Sequence, residues 1–148
     1  MTTIAWDGRT LAADSLIQGN RFYNVQKIWK FDNGLIFAGS GERQNCMIVK
    51  AYLEELDRER FINKTDFSRL PTKPTIPNDF SGIIVVNKKA YRIENLIQPW
   101  ELPSQFACGS GCDFATAAMA LGKTAPEAVL FASRFDLYTG NDVTFFDV

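Results

Sequence analysis

Thr2-Thr3-Ile4-Ala5-Trp6-Asp7-Gly8-Arg9-Thr10-Leu11-Ala12-Ala13-Asp14-Ser15 stands directly behind Met1. Residues 3–6 and 9–13 are short apolar stretches separated by Asp7-Gly8, a dipeptide that readily supplies the positive φ angles of a tight turn. They predict a β-hairpin. Working outward, residues 21–31 are rich in aromatic and β-branched side chains, Asp32-Asn33-Gly34 is a turn signal, and Leu35-Ile36-Phe37-Ala38 has the look of a buried strand. This is a second hairpin, and Gly39-Ser40-Gly41 then breaks the pattern.

From residue 42 to about residue 60, Met47, Ile48, Ala51, Tyr52, Leu53 and Leu56 recur at helical spacing between charged residues, the clearest helix in the chain. Residues 62–80 carry Pro71, Pro74 and Pro77 among polar residues and predict a long surface loop, a candidate insertion or lid. Residues 81–86 and 90–93 flank Asn87-Lys88-Lys89 as a third hairpin, and residues 105–108 suit another short strand. After Gly109-Ser110-Gly111, residues 112–121 form a small-residue helix fit for close packing, which Gly122 stops. Thr124 can cap a further helix with Pro126 and Glu127 in its first turn, running to about residue 135, and residues 143–146 form a last strand. Strands, helix, hairpin, two helices and strand in that order favour a layered α+β domain over an alternating doubly wound one.

The chain of 148 residues is 46% hydrophobic and 13% aromatic, which suits one domain, residues 1–148, with a substantial core. Its 16 basic and 17 acidic residues are interspersed and nearly cancel, so nucleic acid and anionic membranes are not expected partners. No apolar run approaches the roughly 20 residues that span a bilayer, and the N-terminal residues lack a basic start and an apolar signal core. A cytoplasmic protein is expected. Cys46, Cys108 and Cys112 form no Cys-x-x-Cys pair and fit reduced, structural thiols.

The count that constrains chemistry most is histidine, which is 0. Ser-His-Asp and Cys-His machinery and the usual zinc-hydrolase spacings all need an imidazole. A base must come from elsewhere. Met-Thr-Thr offers one: a small second residue permits removal of Met1, and a threonine with a free α-amino group holds nucleophile and base in one residue. Many proteins begin this way without such use, so the motif by itself leaves the matter open.

Read with the rest of the chain, it resembles the proteasome β-subunit family, in particular the bacterial ATP-dependent protease peptidase subunit and compact relatives in tailed-phage genomes. Thr2-Thr3-Ile4-Ala5 is similar to the mature N-terminus of those enzymes. Leu11-Ala12-Ala13-Asp14-Ser15 resembles the second strand with its acidic residue, and Val25-Gln26-Lys27-Ile28 the strand with the active-site lysine. Phe37-Ala38-Gly39-Ser40-Gly41 resembles the glycine turn that provides an oxyanion donor. Gly109-Ser110-Gly111 and the stretch Arg134-Phe135-Asp136-Leu137-Tyr138-Thr139-Gly140 resemble the family's glycine-serine-glycine and its late acidic and hydroxyl pair, with Thr139 where the family usually has serine. The proline-rich segment at residues 62–80 has no counterpart.

The resemblance implies a four-layer αββα sandwich of two antiparallel sheets between helices. It implies Thr2 as nucleophile, with its own amine as base at an unperturbed pKa of about 7.7 to 8.0. Lys27 would ease formation of the alkoxide, Asp14 would hold Lys27 charged and oriented, and the Gly39 N–H would take the oxyanion. Ser110, Asp136 and Thr139 would orient the amine and its water. Val25 and Phe37 would face the pocket and favour apolar side chains before the cleaved bond. No cofactor or metal is implied. The partners would be a peptide or protein substrate, further copies of the chain in a ring or stacked rings, and an ATP-dependent unfoldase. Two alternatives share the fold: an inactive scaffold or binding protein, and a hydrolase of small amides. Locally, Asp14 and Lys27 also suit strand-end charges, Gly109-Ser110-Gly111 a helix-start loop, and Asp136 and Thr139 a helix C-terminus capped by Gly140.

Overall fold

The computed structural model describes residues 2–17, 20–61, 66, 67, 69–71, 73–76, 79–95 and 98–148, with residues 20–23 described as backbone only. The elements in chain order are β1 (Thr3–Trp6), β2 (Thr10–Asp14), β3 (Leu16–Ile17), β4 (Asn20–Asn24), β5 (Ile28–Lys30), β6 (Ile36–Gly41), α1 (Arg43–Arg58), β7 (Phe80–Val86) and β8 (Lys89–Glu94). They continue with β9 (Trp100–Glu101), β10 (Phe106–Gly109), α2 (Cys112–Ala120), α3 (Ala125–Ala132) and β11 (Val143–Asp147). One sheet has the order β10-β1-β2-β11, a second the order β5-β6-β7-β8-β9, and β3 and β4 form a small ribbon. Every pairing is antiparallel.

Side-chain alternation along the strands builds four layers. Ile4 and Trp6 of β1 and Leu11 and Ala13 of β2 meet Ile36, Ala38, Ile83 and Val85 of the other sheet in an inter-sheet core. The intervening Ala5 and Ala12 face the opposite way, where Ala115, Ala118, Ala125, Ala128 and Ala132 of α2 and α3 pack on them. Small residues on both sides let these helices approach the sheet closely. Phe37, Ile84 and Val86 point to the far side of the second sheet and pack under α1 with Val49, Leu53 and Leu56. The layers therefore run α1, sheet, sheet, α2 with α3, the αββα sandwich that the family resemblance implied.

Local chemistry explains several boundaries. Asp7 accepts the N–H groups of Arg9 and Thr10 through one carboxylate oxygen and that of Ala125 through the other, so the β1–β2 turn also docks the start of α3. Thr124 and Glu127 form a reciprocal capping box at that start. Gly122, at φ 92°, ends α2 as expected. Near the end of α1, buried Asp57 accepts the N–H groups of Asn33 and Leu35 at 2.9 and 3.2 Å and so holds the β5–β6 turn. Asp57→Ala strips two donors of their partner, one of them on the fully buried Leu35. It should cost about 2 kcal/mol or more in a urea unfolding titration.

The structure corrects four expectations. Residues 21–31 do not form one strand: β4 pairs back onto β3, the chain breaks at Val25-Gln26-Lys27, and only β5 pairs with β6. Gly39-Ser40-Gly41 does not end its strand, since β6 runs through Gly41 opposite Phe80. Gly41 sits at φ 104°, and a Cβ there would lie 2.1 Å from the Asp79 carbonyl oxygen. α3 stops at Ala132, so Asp136 and Thr139 lie in a turn beyond it, and Gly140 is not among the positive-φ residues that cap helices. Of the stretch at 62–80 expected as a surface loop, positions 62–65, 68, 72, 77 and 78 lie outside the described residues, yet Phe67, Leu70 and Ile76 are buried in the cluster beneath α1.

Candidate active site

Thr2 and Thr3 are tied down from several sides. The Thr2 carbonyl accepts the Ser110 N–H at 2.9 Å, and the Thr3 N–H donates to Asp14 Oδ1 at 3.0 Å, so both ends of the peptide joining them are held. Its conformation is fixed by partners from two different elements. Gly109 makes the first contact possible: at φ 95°, a Cβ on it would lie 1.7 Å from the Thr2 carbonyl oxygen. Thr2 is 3% exposed and lies on the wall of a cavity of about 380 Å³ shared with Lys27 and Gly39. Met1, whose removal is expected from the sequence, lies outside the described residues.

Asp14 ends β2, and Lys27 sits in the break between β4 and β5, which a continuous strand would not have offered. Lys27 Nζ lies 3.1 and 3.2 Å from the two Asp14 oxygens. The carboxylate also accepts the N–H groups of Leu16 and Gly140, so it is satisfied around both oxygens. Burial lowers the Lys27 pKa below its ordinary value of 10.5, against the charge and hydrogen bonds of Asp14, which act to raise it.

Asp136 anchors the second half of the site. Ser110 Oγ donates to its Oδ2 at 2.6 Å, Thr139 Oγ1 donates to the same oxygen at 2.5 Å, and the Tyr138 N–H donates to Oδ1. Partial burial works to raise this carboxyl, but the hydrogen bonds from Ser110 and Thr139 outweigh it and hold the group below its ordinary range. A depressed folded-state pKa stabilises the fold at neutral pH, and that contribution is lost as acidification passes through the folded-state pKa. Thr3, fully buried, lies against this group with its Oγ1 2.5 Å from Thr139 Oγ1.

The sequence-derived residues are thus brought together. Thr2 is bonded to Ser110, Ser110 to Asp136, and Asp136 to Thr139; Thr139 meets Thr3, Thr3 meets Asp14, Asp14 meets Lys27, and the Lys27 carbonyl meets Gly39. Two expectations change. The Gly39 N–H, expected to face an oxyanion, donates to the Lys27 carbonyl at 3.0 Å as an extension of the β5–β6 ladder. Phe37 does not line the cavity; it is fully buried and stacks on Trp29 at 5.5 Å between ring centroids. Val25 does line it, with Leu16, Ile17, Trp29 and Cys46. Burial pushes the Cys46 thiol up to about 11, so it is neutral and no rival nucleophile near pH 7.

Sequence reading missed Thr3 and the special need for glycine at 109. Strand alternation could have shown that Thr3 opposes Ile4 and so faces the helix layer, but its partner Thr139 comes from a distant turn.

Two antiparallel sheets between helices, with a buried threonine heading the central strand, define the N-terminal-nucleophile hydrolase fold. The architecture is similar to that of solved proteasome-like structures. The chain is similar over nearly its whole length to Thiobacillus denitrificans BPH in complex with epoxomicin, at 19% identity and a TM-score of 0.72, covering 100% of this chain and 98% of that one. A second structure of Thiobacillus denitrificans BPH matches at 20% identity and a TM-score of 0.70, covering 99% and 96%. Eukaryotic HslV from Trypanosoma brucei matches at 18% identity and a TM-score of 0.65, covering 100% of each chain. At such identities the likeness is one of fold. No family model matches the chain, and no curated protein does. Among the described residues, no helix is long and apolar enough to cross a membrane.

Proposed function

We propose that the chain is a threonine-type peptidase whose nucleophile is Thr2 after removal of Met1. The observation that carries this reading is the hydrogen-bonded circuit that fixes Thr2 at the wall of an open, partly apolar cavity beside a buried lysine. Thr2 Oγ attacks the carbonyl carbon of the scissile bond and passes its proton to the Thr2 amine, directly or through one water. Collapse of the tetrahedral intermediate breaks the C–N bond, and the ammonium returns that proton to the departing amine. Water then cleaves the ester by the same route, releasing the acid and restoring Thr2. The Lys27 ammonium lowers the cost of the alkoxide, and Asp14 keeps it charged and in place. Gly39 can serve the oxyanion only after its N–H leaves the Lys27 carbonyl.

That engaged N–H favours one competing reading, a proteasome-like scaffold without catalysis. The exposed Leu121, Leu130, Phe135 and Leu137 on and around α2 and α3 support assembly with further copies of the chain, and an ATP-dependent unfoldase remains the partner proposed for such an assembly. Intact-mass analysis after incubation with an epoxyketone or β-lactone probe tests the proposal, with Thr2→Ala as control. Loss of Met1 with one adduct on Thr2 supports the peptidase. Retained Met1 without an adduct moves the assignment to the scaffold.

A further inference from the structure

We infer that Thr3 is a positioning residue for this site, setting the direction of the hydroxyl chain that ends on Asp136 and joining the Asp14–Lys27 half of the site to the Asp136–Ser110 half. This rests on the peptidase reading for its catalytic meaning, but its geometry stands apart from that reading. An ionised carboxylate only accepts hydrogen bonds, so Thr139 spends its single proton on Asp136 Oδ2 at 2.5 Å. The 2.5 Å contact between Thr3 Oγ1 and Thr139 Oγ1 must then use the proton of Thr3. Thr3 Oγ1 in turn accepts the Gly111 N–H at 3.1 Å. The order Gly111, Thr3, Thr139, Asp136 therefore has one direction, and Thr3 is the link whose backbone N–H also holds Asp14.

The packing around Gly111 points the same way. A Cβ on Gly111 would lie 2.3 Å from Thr3 Oγ1 and 3.0 Å from Thr139 Oγ1, so the backbone has closed onto this pair of hydroxyls as far as a glycine allows. Thr3 is 0% exposed and Thr139 3%, which leaves little room for water to replace a lost hydroxyl. The charged groups that face the cluster from neighbouring elements are Asp14 at the end of β2, Lys27 before β5 and, after removal of Met1, the Thr2 amine. Thr3 thereby fixes the Thr139 hydroxyl, and through it the carboxylate that orients Ser110 beside Thr2.

The test compares Thr3→Val, which keeps shape and loses the hydroxyl, with Thr3→Ser, which keeps the hydroxyl. The Asp136 carboxyl is titrated by carbon-13 NMR in aspartate-labelled protein, and the rate of β-lactone acylation is followed by intact mass. The Asp136 midpoint is expected to rise in Thr3→Val and to return in Thr3→Ser, while acylation falls roughly five- to tenfold in Thr3→Val and recovers in Thr3→Ser. A folded Thr3→Val protein with an unmoved Asp136 midpoint overturns the inference. A moved midpoint in a protein that never reacts with the probe upholds the role of Thr3 in the hydroxyl chain and defeats the peptidase reading instead.

Discussion

Thr2→Ala should abolish peptide hydrolysis while leaving the fold in place. Removing a covalent nucleophile lowers kcat by on the order of 10^6-fold where such residues act as a unit, which puts the variant at assay background. The scaffold should barely register the change, because the contacts that hold residue 2 run through its backbone: Ser110 N–H to its carbonyl and the neighbouring Thr3 N–H to Asp14. A stability change within about 1 kcal/mol is expected. Thr2→Ser, which keeps both hydroxyl and amine, should retain measurable turnover. A fluorogenic peptide assay beside thermal unfolding separates these outcomes; an alanine variant that still turns over would remove Thr2 from the chemistry.

Lys27→Met should damage both activity and stability. Asp14 would lose its ammonium at 3.1 Å and be left as a buried carboxylate with backbone donors alone. Breaking a buried pair from one side costs about 3–5 kcal/mol, and loss of a fixed charge beside the developing alkoxide lowers kcat by roughly 10²–10³-fold. Adding Asp14→Asn removes the stranded charge, so the double variant should recover part of the stability and none of the activity. Chemical denaturation and peptide turnover on the three proteins check this separation. The wild-type pH profile carries a matching signature. The ammonium is the working form and its pKa is lowered by burial, so activity should fall on the alkaline side before the 10.5 of an ordinary lysine is reached.

Much of the architecture was legible because its signals are local. Asp7-Gly8 makes its turn, Thr124 and Glu127 make their capping box, and the alanines of α2 announce close packing. The strand break at Val25-Gln26-Lys27 was not legible, since the β-rich composition of residues 21–31 suits either one strand or two, and the choice is made by β3, a two-residue partner with no pattern of its own. The burial of Phe67, Leu70 and Ile76 was hidden behind prolines, which mark irregular backbone but say nothing of which side chains it carries inward. In the site, the candidate residues came from the family resemblance, and the structure links Thr2, Asp14, Lys27, Ser110, Asp136 and Thr139 by hydrogen bonds while leaving Phe37 outside the cavity. What neither motif nor periodicity could show was the commitment of the Gly39 N–H to Lys27 or the place of Thr3, because both depend on pairings between distant segments.

The hold on the peptide after Thr2 also sets a clock. The Gly111 N–H that Thr3 Oγ1 accepts belongs to a residue 108 positions downstream, and Ser110, which takes the Thr2 carbonyl, directly precedes it. At a synthesis rate of about 5–20 residues per second, that part of the chain follows the first strand by roughly 5–20 s. During that interval the leading residues are free of their final partners and open to a trimming enzyme; afterwards Thr2 is 3% exposed. For the maturation step proposed above, the sequence distance between the first strand and its clamp therefore sets how long residue 2 stays unclamped during synthesis.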